Sequence, residues 1–331
     1  MNKKFYDICL VGATGLVGQT FLKVLEEVDF PIRQLKLLAS TRSAGKSIIF
    51  RGQELIVEAL TPDAFDGYQL AFFSAGGDIS KEYAPIARDK GLFVIDNSSA
   101  WRTDSEIGLV VPEVNFADAE LNKIIANPNC STIQSVIPLA ALKPFSLKNV
   151  NYSTYQAVSG SGATGLADLE RTLAGQQPAF YPHNISQTCI PEIDAPLDNG
   201  YTKEEMKMAN ETRKILHLPD LPVSATCVRV PVMNGHAVNV RVELEQAFEI
   251  TDIIDAFTAY EGIVVANDLV NHLYPTSQLA EGRATVFVGR IRRDLSAPNS
   301  LLFYCVADNI RKGAATNAVQ IALNLIKADL I

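Results

Sequence analysis

The sequence predicts an α/β protein in two parts: an N-terminal domain on a parallel, doubly wound sheet and a C-terminal α+β domain. Three observations carry this. Short apolar runs alternate with helical stretches up to about residue 128, as strands and crossover helices do. A glycine-rich turn, GATGLVG at 12–18, joins the first strand to the first helix. From about residue 147 the apolar runs lengthen and are separated by loops rich in Gly, Pro and Asn, which suits a mixed, mostly antiparallel sheet with helices on one side.

In chain order, FYDICLV (5–11) reads as a buried strand, and GQTFLKVLEEV after the glycine turn has helical spacing. RQLKLLA is a second strand, ending in the turn STRSAGK. QLAFFSA (69–75), GLFVID (91–96) and KIIAN (123–127) are further strands, with the helical stretch DISKEYAPIARDKG between the first two. IQSVIPLAAL, after Asn129-Cys130-Ser131-Thr132, and KEEMKMANETRKIL have helical spacing. LKNVNYSTYQAV, TCVRVPV, AVNVRVELEQAF, ATVFVGRIRR and LLFYCVA read as strands of the second domain, and the closing KGAATNAVQIALNLIKADLI as a helix. No internal repeat or low-complexity segment interrupts the order.

Composition narrows the function. The 331 residues fit two domains, and 47% hydrophobic against 20% charged residues suits ordinary globular cores. A net charge of −8 without any block of like charges argues against nucleic acid as a partner. No stretch approaches a membrane span, and MNKKFYDICLVG lacks the apolar core of a signal peptide, so a soluble, cytoplasmic protein is expected. The five cysteines are widely separated, with neither a CxxC pair nor a histidine at zinc spacing, so neither disulfides nor a metal site is expected. Cys9, Cys227 and Cys305 lie in strand patterns, and Cys189 is in no readable pattern.

The glycine turn has the spacing GxxGxxG instead of the commoner GxGxxG. Its physics is the same: small residues let the backbone approach a pyrophosphate, whose charge the following helix N-terminus attracts. Glycine spacing alone is a weak signal; the strand–turn–helix context makes it a dinucleotide site of Rossmann type. The turn after the second strand, Ser40-Thr41-Arg42-Ser43, offers hydroxyls and a guanidinium and no carboxylate. That set suits a ribose 2′-phosphate, so NADP is the expected cofactor.

Cys130 stands at the threshold of a helix, where a thiolate is stabilised. Pro128 keeps Asn127 extended, so the helix cannot begin earlier. A nucleophilic thiol beside a dinucleotide site points to hydride chemistry on an acyl group, which also needs an acid/base residue. Of the four histidines, His236 in RVPVMNGH is a better candidate than His217 in KILHLPD, although spacing alone does not separate it from a core histidine.

The motifs GATGLVG (12–18), STRSAG (40–45), SAGG (74–77), DNSSAWR (96–102), PNCSTIQ (128–134), TYQAVSGSG (154–162), RVPVMNGH (229–236) and DNIRKGAATNAVQ (308–320) together resemble the aspartate-semialdehyde dehydrogenase family over nearly the whole chain. The resemblance implies an NADP-binding Rossmann domain, residues 1–129 completed by 312–331, and a catalytic and dimerisation domain, 130–311, in a homodimer. It implies reduction of 4-phospho-L-aspartate by NADPH to L-aspartate 4-semialdehyde with release of phosphate, a step in lysine (diaminopimelate), threonine, methionine and isoleucine biosynthesis. Cys130 then resembles the nucleophile and His236 the acid/base residue, while Gln156 resembles the side chain that orients substrate. Arg229 resembles the partner of the substrate carboxylate. Arg102, Asn129 and Lys207 resemble the phosphate site, with Glu204 one turn before Lys207; on spacing alone those two are an ordinary surface ion pair. The cofactor residues implied are Gly12, Thr14, Gly15, Leu16, Val17, Ser40, Thr41, Arg42, Ser74, Ala75, Gly76 and Asn97, with Ser159, Gly160 and Asn309 on the nicotinamide side.

Three other readings use part of the same pattern. N-acetyl-glutamyl-phosphate reductase shares the thioester logic, but RVPV–GH and DNSSAWR lean against it. A non-catalytic dinucleotide-binding paralogue is expected to have lost Cys130 or His236. A sugar or hydroxy-acid dehydrogenase needs no thiol.

Overall fold

The computed structural model describes residues 4–331, which divide into two compact units, one of residues up to Pro128 together with Ala314–Ile331 and one of Asn129–Gly313. Asn129 therefore falls with the second unit, not the first. Its backbone N–H and its side chain are both bonded there, to Glu211 and Glu204.

In the first unit β1 (Tyr6–Val11), every residue of it buried, leads through the glycine turn into α1 (Leu16–Glu27) and β2 (Ile32–Ala39). A hairpin follows, β3 (Ser47–Phe50) and β4 (Gln53–Ile56), and then the short β5 (Glu58–Ala59). The hairpin was not legible from hydrophobic pattern because most of its residues, Ile49 and Ile56 among them, are exposed. Next come β6 (Leu70–Phe73), α2 (Gly77–Asp89), β7 (Phe93–Asp96), β8 (Gly108–Leu109), the one-turn α3 (Pro112–Asn115) and β9 (Ile124–Ala126). The sheet order is β5-β2-β1-β6-β7-β9-β8, and every pairing is parallel. The strands run outward from β1 through β2 to β5 and from β6 through β7 to β9 and β8, so the order reverses between β1 and β6. Ligands of open α/β sheets bind outside the carboxyl ends of strands at such a reversal.

The second unit opens with α4 (Cys130–Ala141), whose eleven residues after Cys130 are all buried. Helical from Cys130, it starts three residues before the apolar run suggests, because Asn129 Oδ1 accepts from the N–H groups of Ser131 and Thr132 at 3.0 and 3.2 Å. Then follow β10 (Leu147–Gln156), α5 (Gly162–Leu173), α6 (Lys203–Leu216), β11 (Val223–Arg229), β12 (His236–Leu244), α7 (Ile250–Ala259), β13 (Ile263–Val265), α8 (Ser277–Ala280), β14 (Val286–Arg293) and β15 (Ser300–Ala307). The six-stranded sheet has the order β11-β10-β12-β15-β14-β13, with the three pairings from β10 to β14 antiparallel and the two outer ones parallel.

Helix α4 packs against this sheet on one side and α6 on the other, which is why it has no solvent face. A capping box starts α6: Thr202 accepts from Glu205 N–H, and the Glu205 carboxylate accepts from Thr202 N–H. After β15 a π-helical turn, Arg311–Ala315, brings the chain back to the first unit as α9 (Thr316–Lys327). There Ala318, Val319, Ile321 and Leu325 join Leu10, Phe21, Phe30 and Phe72 in one core.

Candidate active site

Two sets of predicted residues cluster, one in each unit. In the first, Gly12 adopts φ +84°, and a side chain there would put its Cβ 2.2 Å from the carbonyl oxygen of Ser74. Gly18 is equally constrained, its Cβ position lying 2.2 Å from Gly12 O. The turns after β1 and β6 are thus pressed together at the sheet's reversal point, and only glycine permits it. Helices α1 and α2 both start there, at Gly15 and Gly76, with no side chain capping them and no acidic residue in the first turn of α1. Uncapped N–H groups at a helix start form an anion site. Leu16 and Val17 open α1, half-buried, and Thr14 Oγ1 lies 3.5 Å from Ser43 Oγ. Ser40, Thr41 and Arg42 lie exposed in the turn after β2. A backbone cradle that a Cβ would fill, beside hydroxyls and a guanidinium with no carboxylate among residues 40–45, fits a dinucleotide.

The DNSSAWR motif makes a knot at the end of β7. Asp96 is fully buried and accepts from Ser80 Oγ at 2.6 Å and from Ser98 Oγ at 2.7 Å; burial pushes its carboxyl up against these bonds. Arg102 belongs to this unit, where it donates to Asn97 O at 3.0 Å. Asn97 Oδ1 accepts from Asn127 Nδ2 at 2.7 Å, and Asn127 Oδ1 from Asn317 Nδ2 at 2.7 Å. That buried amide chain ties α9 to the sheet.

The second unit gathers most of the predicted chemistry. Cys130, partly exposed, is the first residue of α4. Asn129, Gln156, Glu204 and Lys207 form one network. Glu204 Oε1 accepts from Asn129 Nδ2 at 2.8 Å and Gln156 Nε2 at 3.1 Å, and Glu204 Oε2 meets Lys207 Nζ at 3.1 Å. Asp194, unpredicted and carrying no sequence signal, holds Lys207 from the other side at 2.7 Å. The pair is therefore not a surface ion pair: Glu204 is 5% exposed. Burial alone would raise the Glu204 carboxyl, but Lys207 and the two amides bring it below its ordinary value. Burial opposes the charge of Lys207 in turn, and the Glu204 and Asp194 carboxylates raise it above its ordinary value.

Arg229 ends β11 with 5% exposure, and among the described residues no carboxylate pairs with it; Nη1 donates to Ala157 O at 2.7 Å, and Nε has no hydrogen-bond partner. A buried guanidinium without a counter-ion is costly unless a ligand supplies one. His236, the first residue of β12, is fully buried, while His183, His217 and His272 are exposed. His217 is the left-handed residue that ends α6. His236 Nδ1 accepts from Ala157 N–H at 3.0 Å, and Nε2 has no partner. Burial, with the Arg229 charge beside it, holds this imidazole well below its ordinary value.

Ser159 and Asn309 bond each other, and Asn309 Oδ1 accepts from Gly235 N–H at 2.9 Å, which fixes the turn carrying His236. Gly160 lies against both Arg229 and His236.

Sequence reasoning passed over four supports. Gln134 donates to His236 O at 3.0 Å and Cys305 O at 3.3 Å, pinning α4 to β12 and β15; it is four residues from Cys130, on the same helical face, which is a legible signal. Thr154, two residues before Gln156 on the same strand face, donates to Gln156 Oε1 at 2.9 Å. Glu211 accepts from Asn129 N–H at 2.6 Å. Gly313 packs on Cys130: a Cβ there would lie 2.8 Å from the Cys130 Cβ. No cluster of metal-ligating side chains occurs among the described residues.

A dinucleotide cradle in one unit, with a helix-borne cysteine and a buried imidazole in the other, defines a thiol-dependent oxidoreductase of the nicotinamide class. The comparisons narrow this. Residues 7–122 match the family described as "Semialdehyde dehydrogenase, NAD binding domain", and 137–312 match its dimerisation domain. The aspartate-semialdehyde dehydrogenase of Aquifex aeolicus is 49% identical over 98% of this chain and 99% of its own. That of Bacillus subtilis is 47% identical over 98% of each. Aspartate semialdehyde dehydrogenase II of Vibrio cholerae, solved complexed with ASA, superposes with a TM-score of 0.94 at 42% identity, over 98% of this chain and 99% of that one. The chain belongs to the aspartate-semialdehyde dehydrogenase family, enzymes whose cofactor is a nicotinamide dinucleotide.

Proposed function

We propose that the protein reduces 4-phospho-L-aspartate to L-aspartate 4-semialdehyde, releasing phosphate, through a thioester on Cys130 and with NADPH as reductant. The single observation that carries the substrate class is Arg229, a buried guanidinium without a carboxylate in the unit that holds the thiol. It is the partner of the substrate's carboxylate, and a planar fork suits that better than a lysine. Cys130 attacks the acyl phosphate as a thiolate, which the N-terminus of α4 favours. Lys207 and Asn129 meet the leaving phosphate, and Gln156, held by Thr154 and Glu204, orients the reacting carbonyl. Gly12, Thr14, Gly15, Leu16, Val17, Ser74, Ala75, Gly76 and Asn97 hold the dinucleotide, and Ser40, Thr41 and Arg42 choose NADP over NAD. When bound, the cofactor supplies the hydride that turns the thioester into a thiohemiacetal. His236 serves the oxygen of that intermediate.

The protein functions as a homodimer in the cytosol, in aspartate-family amino-acid biosynthesis. Among the described residues no helix is long and apolar enough to cross a membrane, and no disulfide joins two cysteines.

The test follows absorbance in the reverse direction, from the semialdehyde, with and without phosphate and with each cofactor. Turnover is expected only with phosphate and chiefly with NADP. Cys130→Ala should abolish turnover with NADP binding within about twofold, and substantial residual turnover refutes the covalent route.

A further inference from the structure

We propose that Asp194 is a specificity-determining residue: its carboxylate sits on Lys207 as an internal anion, which a phosphate dianion displaces and a singly charged carboxylate does not. This rests on the function proposed above, in which Lys207 meets phosphate, and deepens it by setting what an anion must displace to bind there.

A lysine ammonium has three N–H donors and one charge. Lys207 Nζ gives one donor to Glu204 Oε2 at 3.1 Å and another to Asp194 Oδ2 at 2.7 Å. Burial works against the charge of Asp194, but its hydrogen bonds from Lys207 and Ala195 hold the carboxyl below its ordinary value, and Glu204 is held low as described above. Both are therefore charged at neutral pH, and two carboxylates against one ammonium leave a net charge of −1. A phosphate dianion brought to the third donor would be attracted by one cation and repelled by two anions close behind it. Coulomb energy falls only as the inverse of distance, so one attraction does not outweigh both repulsions. One carboxylate has to yield.

The surroundings select Asp194. Glu204 is buried, and its Oε1 holds the side-chain amides of Asn129 and Gln156, so moving it would take an acceptor from both. Asp194 has no such duty. Its side chain is 36% exposed, it lies in the segment between α5 and α6, and its Oδ1 accepts only from the N–H of the next residue, Ala195, at 2.8 Å. A second cation is also at hand. Lys203, exposed at the first position of α6 and one turn before Lys207, bears on Asp194 through its charge. The carboxylate can exchange one ammonium for the other and keep its charge matched.

The exchange makes Lys207 selective by charge. A free monoanion gains no Coulomb energy over Asp194 and competes with a partner already tethered to the chain at high effective concentration. The side-chain carboxylate of L-aspartate therefore does not win Lys207. A dianion doubles the attraction to the ammonium and does win it. The unphosphorylated acid, which has no leaving group for a thiol to displace, is thereby kept from the place of the acyl phosphate. The same competition lowers the apparent affinity for phosphate, because the binding-competent form of Lys207 is only a fraction of the population.

The test is the steady-state reverse reaction, from the semialdehyde with oxidised cofactor at varied inorganic phosphate, for the full-length wild type, Asp194→Asn and Asp194→Gly. Asparagine and glycine both adopt the left-handed φ of this position, +68°, so neither strains the backbone. Removing the competitor is expected to lower KM for phosphate by about fivefold or more in both variants, and to lower by as much the Ki of L-aspartate as an inhibitor competing with phosphate. A residue that merely aims Lys207 predicts the opposite sign, so a KM that is raised or unchanged in the folded variants overturns the proposal, as does an unchanged Ki. Should neither variant fold, a crystal structure of the wild type with phosphate decides. Asp194 Oδ2 withdrawn beyond about 4 Å from Lys207 Nζ is expected; phosphate and Asp194 both bonded to Nζ overturns it. A wild type that requires phosphate leaves the proposed function standing whatever the variants do, whereas one that turns over without it sinks that function and this proposal together.

Discussion

Cys130 owes its position to a glycine that is distant in sequence. Gly313 sits in the π-helical turn before α9, and a Cβ there would come within 2.8 Å of the Cys130 Cβ and 3.2 Å of its Cα. Real side chains do not tolerate such contacts, so Gly313→Ala must shift the cysteine or the turn. A misplacement of about 1 Å at a reacting group costs on the order of a hundredfold in rate. We expect Gly313→Ala to lower kcat by about tenfold to a hundredfold, with the dinucleotide Kd changed by less than about twofold. The rate of Cys130 labelling by a thiol reagent should change with kcat. An unchanged kcat would mean that the thiol is not held by this contact.

Helix α4 is an element that its own sequence does not stabilise in water. It is buried on every side, its first turn is capped by Asn129, and its middle is fastened to the sheet by Gln134. Asn129 has three tasks: it caps the helix, donates to Glu204, and gives its backbone N–H to Glu211. Asn129→Ala deletes the first two. The lost cap costs about 1 kcal/mol, and leaving the Glu204 carboxylate short of a donor costs on the order of 2 kcal/mol more. The expected result is a lower urea midpoint with an unchanged denaturant slope, and KM for phosphate in the reverse reaction raised by about tenfold. A midpoint equal to wild type would show that Glu204 does not depend on this amide.

At the scale of the molecule, α4 packs on one face of the six-stranded sheet, and the opposite face, partly covered by Ala280 of α8, keeps an exposed patch. On that face Tyr155 and Tyr304 stand 6.1 Å apart between ring centres, with Tyr155 42% exposed, and Asn239 and Leu302 are half-buried. Aromatic and amphipathic residues on an open sheet face suit an interface core. We expect Tyr304→Asp to convert the protein from dimer to monomer in sedimentation velocity, with the far-ultraviolet dichroism retained, since it would bury an unpaired charge at the contact. A dimer that persists unchanged would place the interface elsewhere.

Local rules were enough for the parallel sheet, the glycine turn and the helix that begins at the cysteine, because each depends on residues near in sequence: Gly12 and Gly18 in one turn, Pro128 and Asn129 before one helix. Periodicity did not reach the β3–β4 hairpin, which buries too little to show alternation. Nor could it separate His236 from a core histidine, or Glu204–Lys207 from a surface pair, since burial comes from elements far along the chain. Those cases needed the tertiary fold, and so did the Ala157 amide on Nδ1, Gly313 on Cys130 and Asp194 on Lys207. The sequence by itself determined which chemical groups the protein owns and which segments carry them. Which groups are buried, charged or left without a partner was decided by packing, because desolvation and hydrogen bonding depend on what is near in space.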